Sequence, residues 1–346
     1  MEISAVIPVY NGADYIAEAI EAILAQTKQP AAIIVVDDCS TDGSRRIVEG
    51  YRDRATVFST AQNSGVQIAR NVGIAHARTE WVALCDHDDI WHPEYLAKLS
   101  DLLDDEAGIE FAFCNFKTVR GPEPLDGTKF DQAPRGYWES AGRRIVPRGW
   151  VFDRSFAGQT FSWHPIFPSG SSFSKHLIDK IGAFSPAMKG VRSEDGEFIL
   201  RCLYRAKVGV LPEPLVTIRR HDTNFSRDDL LTLIDEVKVL SWIKEHHEEA
   251  RQYAGIIDSE IRRRRIAAAH GAFAARRHDL MRELLVEVPP QDRSINLRIK
   301  SLIASLPDDI GLASNSILQG ASGLVRPLRA SARAARTPIT GPHRSG

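Results

Sequence analysis

The stretch "SAVIPVYNGADYIAEAIEAILAQT" (Ser4–Thr27) reads as strand, turn and helix in immediate succession. "ISAVIPVY" is a short apolar, β-branched run bounded by Asn-Gly, as in a buried strand. Tyr15, Ile16, Ala19, Ile20, Ile23 and Leu24 then recur at the spacing of an amphipathic helix, which Pro30 stops. The pattern repeats. "AAIIVVDDCSTDGS" leads into "SRRIVEGYRDR", "ATVFST" into "QIARNVGIAHAR", and "EWVALCD" closes the series. Strands and helices alternating at these lengths predict an α/β fold with a Rossmann-like, doubly wound, mostly parallel sheet. Ligands of such sheets bind beyond the carboxyl ends of the strands. Tyr10 and Asn11, Asp37 and Asp38, Asn63 and Gly65, and Asp86, Asp88 and Asp89 all fall at those ends. The bland alternative is a set of unrelated solvated loops.

Further on, "EYLAKLSDLLDD" reads as a helix and "IEFAFCNFKTV" as a strand, and residues 120–160 show no clean period and read as a functional loop. "SSFSKHLIDKIGAF" reads as a strand entering a helix, "EDGEFILRCLYRA" as a helix, and "KVGVLPEPLVTIRRH" as a closing strand pair around Pro212 and Pro214. The expected organisation is residues 1–227 as one α/β domain, 228–322 as a helical region, and 323–346 as a basic, disordered tail.

Of 346 residues, 43% are hydrophobic and 26% charged, an ordinary soluble balance, and the net charge of −1 gives no field that suggests nucleic acid. The charge is uneven. From Ile261 onward there are 15 basic and 6 acidic residues. That asymmetry suits a peripheral contact with an anionic membrane face, a homodimer contact, or simply a solvated helical face. Cys39, Cys85, Cys114 and Cys202 form no C-x-x-C pair and read as reduced thiols of a cytoplasmic protein. "MEISAVIPVYN" lacks a signal-peptide pattern, and no run of about 18 apolar residues suggests a membrane span.

The decisive chemistry lies in "WVALCDHDDIWHP" (Trp81–Pro93). Three carboxylates at one strand end repel one another unless something positive compensates them. Two carboxylates two positions apart on an extended chain point the same way and share a hard divalent cation. Such an ion, Mn²⁺ or Mg²⁺, also binds a diphosphate and neutralises it as it leaves. A solvated acidic loop or an N-cap cluster is the alternative.

In order, "SAVIPVYNGADYIAEAIEAILAQT", "IIVVDDCSTDGS", "NSGVQIARNVGIAHA" and "WVALCDHDDIWHPEYL" closely resemble the nucleotide-sugar-binding half of the family 2 glycosyltransferases, inverting enzymes of GT-A fold. The resemblance covers residues 1–100 and continues loosely to about 225 through "IGAF", "SEDGEF" and "RRHDTNFS". The C-terminal third resembles no family we can name. The resemblance implies that Pro8, Val9, Tyr10 and Asn11 line the nucleotide site, with Tyr10 near the base, and that Asp38 accepts from a base NH. It implies that Asn63 and Gly65 border the ribose and that Arg70 reaches the base or phosphates. Asp86 and Asp88 match the D-x-D, Asp88 as direct metal ligand and Asp86 nearer the ribose. His87 departs from the small residue usual between them. Tyr10 as core, Asp37 as an Asx-turn residue and Arg70 as a surface charge are the structural alternatives.

Inverting transfer needs a base for the acceptor hydroxyl. The resemblance gives this role to Asp195 of "SEDGEF", with Glu194 beside it. The alternative is helix N-terminal charge with Ser193 as cap. His221 completes the metal shell or meets the diphosphate, and Arg219 and Arg220 neutralise phosphate, with a plain surface turn as the alternative; "FPSGSSFSK" (Phe167–Lys175) lies on the acceptor side, lined by Trp163 and His164, with a core Trp as the alternative. The implied partners are a nucleotide-sugar donor, UDP-linked by preference, and a glycan or lipid-linked acceptor. A nucleotidyltransferase lacks support, because "PVYNGADY" carries no basic glycine-rich loop, and a dehydrogenase lacks G-x-G-x-x-G. A catalytically silent binding module is the remaining rival.

Overall fold

The computed structural model describes residues 1–305 apart from 122, 223, 225 and 226. Four strands form the first half of one sheet: β1 (Ile3–Val9), β2 (Ala32–Asp37), β3 (Thr56–Ser59) and β4 (Trp81–Leu84). Between them run α1 (Ile16–Leu24), α2 (Ser44–Glu49) and α3 (Val66–His76). β1 lies between β2 and β4, β3 lies beyond β2, and all four are parallel. Every residue of β1 is buried. Val6 faces one hydrophobic layer with Ile34 and Leu84, whereas Ile7 and Val9 face the other with Val35 and Ala83. This explains why the strands read as unbroken apolar runs: both faces are covered. α3 comes so close that a Cβ on Gly73 would lie 2.3 Å from Val6 Cγ1.

The second half contains β5 (Ile90–Trp91), α4 (Tyr95–Asp105), β6 (Ile109–Arg120), β7 (Glu123–Thr128), α5 (Tyr137–Ser140), β8 (Arg144–Val146), β9 (Gly149–Phe152) and α6 (Ala157–Thr160). Then follow β10 (Ser171–Ser174), α7 (Lys175–Ile181), α8 (Asp195–Arg205) and β11 (Lys207–Arg220). The strand order is β3-β2-β1-β4-β10-β6-β11-β9-β8, with β5 added to β11 and β7 to β6. β10 is antiparallel to both neighbours, and β11 is parallel to β6.

Two expectations need correction. Residues 120–160 are not one irregular loop, because β7, β8 and β9 all lie there. Nor does "KVGVLPEPLVTIRRH" make two strands. It is one 14-residue strand whose pairing with β6 shifts register between Leu211 and Pro214 and again before Val216. Proline has no N–H to donate, so the ladder slips around Pro212 and Pro214 and resumes. The Asn115 side chain bridges the break by donating to Pro212 O at 3.0 Å.

From residue 228 the described chain is helical: α9 (Asp229–His246), a 3₁₀ segment (Glu248–Tyr253), α10 (Ala254–Ala274), α11 (His278–Val286), a 3₁₀ turn (Pro290–Asp292) and α12 (Ile295–Ala304). Two compact units result, one of Met1–Ile261 and one beginning at Arg262. α9, which the sequence sets apart from the α/β domain, packs inside the first unit. Its Asp235 accepts from the Arg192 backbone N–H at 3.2 Å and from its side chain at 2.9 Å. The tail expected over 323–346, and the end of the helical region past 305, lie outside the described residues. Cys85, Cys114 and Cys202 are buried free thiols, as expected of core positions.

Candidate active site

The loops after β1 and β2 are laced together. Asn11 Oδ1 accepts from the Thr41 N–H at 2.8 Å, the Gly12 N–H donates to Ser44 Oγ at 2.8 Å, and the Ala13 N–H donates to Asp42 at 3.0 Å. Asn11 and Cys39 hold left-handed backbone, φ 49° and 62°, and Ser193, just before the Glu194-Asp195 pair, does so at 59°. Non-glycine residues enter this region at a cost and concentrate at functional sites. Pro8 and Val9 are buried inside the sheet, and among the four residues expected to line the nucleotide site only Tyr10 and Asn11 reach the rim. Tyr10 is 42% exposed there. Asp38 is buried and gathers the loop after β3: it accepts from Thr60 Oγ1 at 2.7 Å, the Ser64 N–H at 2.9 Å and the Gly65 N–H at 2.8 Å. Gly65 has φ 95°, a conformation that favours glycine. Asn63 is exposed, and its carbonyl accepts from Lys189 at 2.9 Å. Asp37 Oδ1 accepts from the Ser40 N–H at 3.2 Å, the Asx-turn alternative.

The three carboxylates after β4 lie against different protein groups. Each finds its own partner. Asp86 takes both oxygens to Arg70 Nη2, at 2.8 and 3.1 Å. Asp88 Oδ2 lies 3.2 Å from His221 Nε2 and accepts from Asn224 Nδ2 at 3.0 Å. Asp89 is buried, hydrogen-bonded to the Ser169 hydroxyl, and accepts from the Arg219 N–H at 3.1 Å. Burial, then the Asp88 and Asp86 charges, push its pKa well above the usual carboxylate range. Ser169 also accepts from the Asp86 N–H at 2.9 Å, so this hydroxyl orders the whole turn. The His87 ring lies over Gly12, where a Cβ would be 2.0 Å from its Cδ2.

Arg70 is buried, not the surface charge of the structural alternative, and it also donates from Nη1 to Glu194 at 2.7 Å. Burial alone would lower its pKa, but Asp86 and Glu194 hold it above the ordinary value. The D-x-D turn and the Glu-Asp pair of α8 are thereby joined through one guanidinium. Asp195 opens α8. Burial and the adjacent Glu194 carboxylate raise its pKa to about 7, with Arg70 opposing. Ser193 is not the helix cap, and no side chain caps this N-terminus.

His221 is oriented by Tyr15, whose ring stacks on it at 4.4 Å, and the Arg219 guanidinium lies over Tyr15 at 5.3 Å. Tyr15 and Asn224 escape notice in the sequence, and Ser169 is visible only as part of "FPSGSSFSK", expected on the acceptor side. Tyr15 reads as an ordinary helix-face residue, and Asn224 is visible only as part of "RRHDTNFS". Among the described residues no three carboxylate, imidazole or thiolate groups converge as a ready-made metal cage. The Asp88 carboxylate supplies an oxygen donor of the kind Mn²⁺ or Mg²⁺ takes, and the His221 imidazole beside it adds a nitrogen donor that Mn²⁺ accepts more readily than Mg²⁺. Trp163 sits in an aromatic cluster, 4.7 Å from Tyr137 and 5.9 Å from Trp138.

A parallel strand block with an acidic rim, extended by a mixed half that carries a carboxylate pair, is the architecture of the GT-A fold. The fold matches S. aureus TarS 1–349 in complex with UDP-GlcNAc with a TM-score of 0.59 at 20% identity, over 92% of each chain. It also matches the mannosyltransferase PcManGT from Pyrobaculum calidifontis in complex with GDP-Man and Mn²⁺, with a TM-score of 0.52 at 16% identity, over 91% of this chain and 86% of that one. Residues 4–156 match the model of Glycosyl transferase family 2. TuaG of Bacillus subtilis, named as a teichuronic acid biosynthesis glycosyltransferase, is 35% identical over 136 residues, 38% of this chain. That match spans about half, 53%, of TuaG.

Proposed function

We propose that this chain is an inverting, metal-assisted glycosyltransferase. It moves a sugar from a nucleoside-diphosphate sugar, UDP-linked by preference, to an acceptor hydroxyl in cell-surface polysaccharide or glycoconjugate synthesis. The observation that carries this reading is the Arg70 bridge, which brings together two acidic motifs more than a hundred residues apart. The TuaG name and the UDP-GlcNAc bound by TarS support the pathway and the donor class.

Asp195 would take the proton of the acceptor hydroxyl. The acceptor oxygen then bonds to the anomeric carbon as the bond to the diphosphate breaks, its electron pair leaving with the diphosphate and the configuration inverting. A base with a pKa near the working pH suits this step. Arg70 pairs with both Glu194 and Asp86 and would hold the turn after β4 beside Asp195. Asp88 and His221 would hold the divalent ion, and Asp86, occupied by Arg70, would position this turn. Such ions commonly take one or two protein ligands and complete their shell with water and substrate phosphates. Bound there, the ion would neutralise charge developing on the diphosphate. Tyr10, exposed at the end of β1, would stack on the base.

No helix among the described residues is long and apolar enough to cross a membrane. We place the protein in the cytoplasm, resting peripherally on the inner membrane face through its basic C-terminal region.

The test is release of the nucleoside diphosphate from a panel of sugar nucleotides with Mn²⁺. Asp88→Ala should lower the rate at least about a hundredfold. No metal-dependent release from any donor would sink the reading.

A further inference from the structure

The carboxylate pair that opens α8 is not held in place by its own helix. No side chain caps that N-terminus, and the residues leading into it are a run of turns. Gly190 and Ser193 there take left-handed backbone, at φ 74° and 59°. A strained segment of this kind keeps its shape only where the surrounding structure holds it. Arg70 does so from the donor half, through Glu194. Two further anchors come from the chain beyond β11.

The first is Asp235 on α9, a buried carboxylate with both oxygens engaged. Its Oδ2 accepts from the Arg192 N–H at 3.2 Å and the Arg192 guanidinium at 2.9 Å, and its Oδ1 accepts from Lys238 at 2.8 Å. Arg192 stands two residues before Glu194. The second is His247, which directly follows α9. Its Nε2 lies 3.0 Å from Oε1 of Glu197, a buried residue in the first turn of α8, two positions past Asp195. Arg201 grips the same carboxylate through Nε and Nη2, both at 2.8 Å. Among the described residues His247 Nδ1 is buried without a hydrogen-bond partner. A buried nitrogen left unmet costs stability, so an imidazole here is explained by its contact with Glu197 and not by packing. Between the two anchors, Val237, Leu240 and Ile243 of α9 share one hydrophobic layer with Phe198 and Leu203 of α8.

The anchors bracket Asp195 on both sides in sequence, and both lie outside residues 4–156, which match the family. We propose that Asp235 and His247 are positioning residues, which make α9 the part of the chain that sets Asp195 against the acceptor oxygen. This rests on the glycosyltransferase reading, since that reading makes Asp195 the base. Both act through Arg192 and Glu197, not on substrate. Donor binding therefore stays with the first four strands, and the chemical step depends on α9. A base displaced by about 1 Å loses about a hundredfold in rate, so loosening either anchor shows in turnover before it shows in affinity.

The test follows amide exchange, UDP affinity and turnover in the full chain, for Asp235→Asn and His247→Phe. The phenyl ring keeps the bulk of the imidazole, so His247→Phe should unfold within about 2 °C of wild type. In both variants the amides of residues 190–196 should exchange about tenfold faster by mass spectrometry, and those of the turn after β4 should not change. UDP with Mn²⁺ should bind within about twofold of wild type by calorimetry. The kcat for release of UDP from UDP-GlcNAc, UDP-glucose or UDP-galactose, with water as acceptor, should fall about tenfold or more while the donor KM holds. A merely structural pair would lower the unfolding midpoint and leave the kcat of the folded molecules unchanged. Unchanged exchange over residues 190–196 overturns the proposal, and so does faster exchange with kcat intact. A loss of UDP affinity as large as the loss of kcat also overturns it, because the damage then reaches the donor side. If the wild type releases no UDP from these donors or any other, the glycosyltransferase reading falls, and exchange over residues 190–196 still decides whether α9 holds the segment.

Discussion

Arg70 donates to Glu194 at 2.7 Å across 124 positions of sequence, and the pair is almost closed to solvent. Its other terminal nitrogen holds Asp86. Removing one member of a buried ion pair leaves an uncompensated charge, at a cost of about 3–5 kcal/mol. Arg70→Ala strands two carboxylates at once and should lose stability of that order in urea denaturation. Arg70→Lys keeps the charge without the planar fork and should fold, yet turn over far more slowly, because a point charge does not hold both motifs in place. An alanine variant within about 1 kcal/mol of wild type would show that water replaces the bridge and that the two motifs are not coupled through it.

Asp195 should set the acid limb of the pH profile. A base works only when deprotonated, so kcat/KM should rise with pH through about 7 and level off above it. Asp195→Asn should abolish transfer and with it that limb. Stability should move the other way. Folding raises this carboxyl from 3.8 to about 7, so the folded chain holds a proton that the unfolded chain has lost. That contribution is complete below about pH 4 and vanishes as pH climbs through the folded value. The asparagine variant should match wild type in acid and exceed it in unfolding midpoint at pH 8. A constant difference across this range would place the titration on some other group.

Two glycines should answer differently to the same added methyl. At Gly73 a Cβ meets Val6 Cγ1 at 2.3 Å in a packed core, and overpacking of this kind costs about 1–3 kcal/mol. At Gly12 the obstacle is the His87 ring, the end of a movable side chain on the rim. Gly73→Ala should therefore be read in denaturation and Gly12→Ala in donor KM, with little loss of stability. Equal destabilisation by both would mean that His87 is as fixed as the core.

The nucleotide-binding half was legible because β1, β2 and β4 are covered on both faces and α1 shows one apolar stripe, so Ile3–Val9 and Ile16–Leu24 announce themselves locally. β11 was misread because Pro212 and Pro214 look like a turn, and only the neighbouring β6 carries the strand across them. Residues 120–160 were misread because their strands are short and antiparallel, and their tryptophans pack as a cluster without a period. Among site residues, the types and places of Asp86, Asp88, Glu194 and Asp195 could be read. Their partners could not, since Arg70, Ser169 and Asn224 reach them over long sequence separations that leave no local pattern.

The second unit offers the remaining expectation. On α12, Ile295, Ile299 and Leu302 share one helix face at i, i+4 and i+7, and Ile295 and Leu302 are 78% and 69% exposed. Large apolar side chains left in water on one stripe, in a region with 15 basic against 6 acidic residues, suit an interfacial helix on an anionic bilayer. Burying one such side chain contributes about 1.5–3 kcal/mol, so Ile295→Asp with Leu302→Asp should weaken binding to anionic vesicles well over tenfold. Salt should weaken the wild type too, but only in part, since the apolar share is not screened. If 0.5 M salt, about a 4 Å screening length, strips the wild type from vesicles completely and the two aspartates change nothing at low salt, the attachment is purely electrostatic and α12 has no part in it.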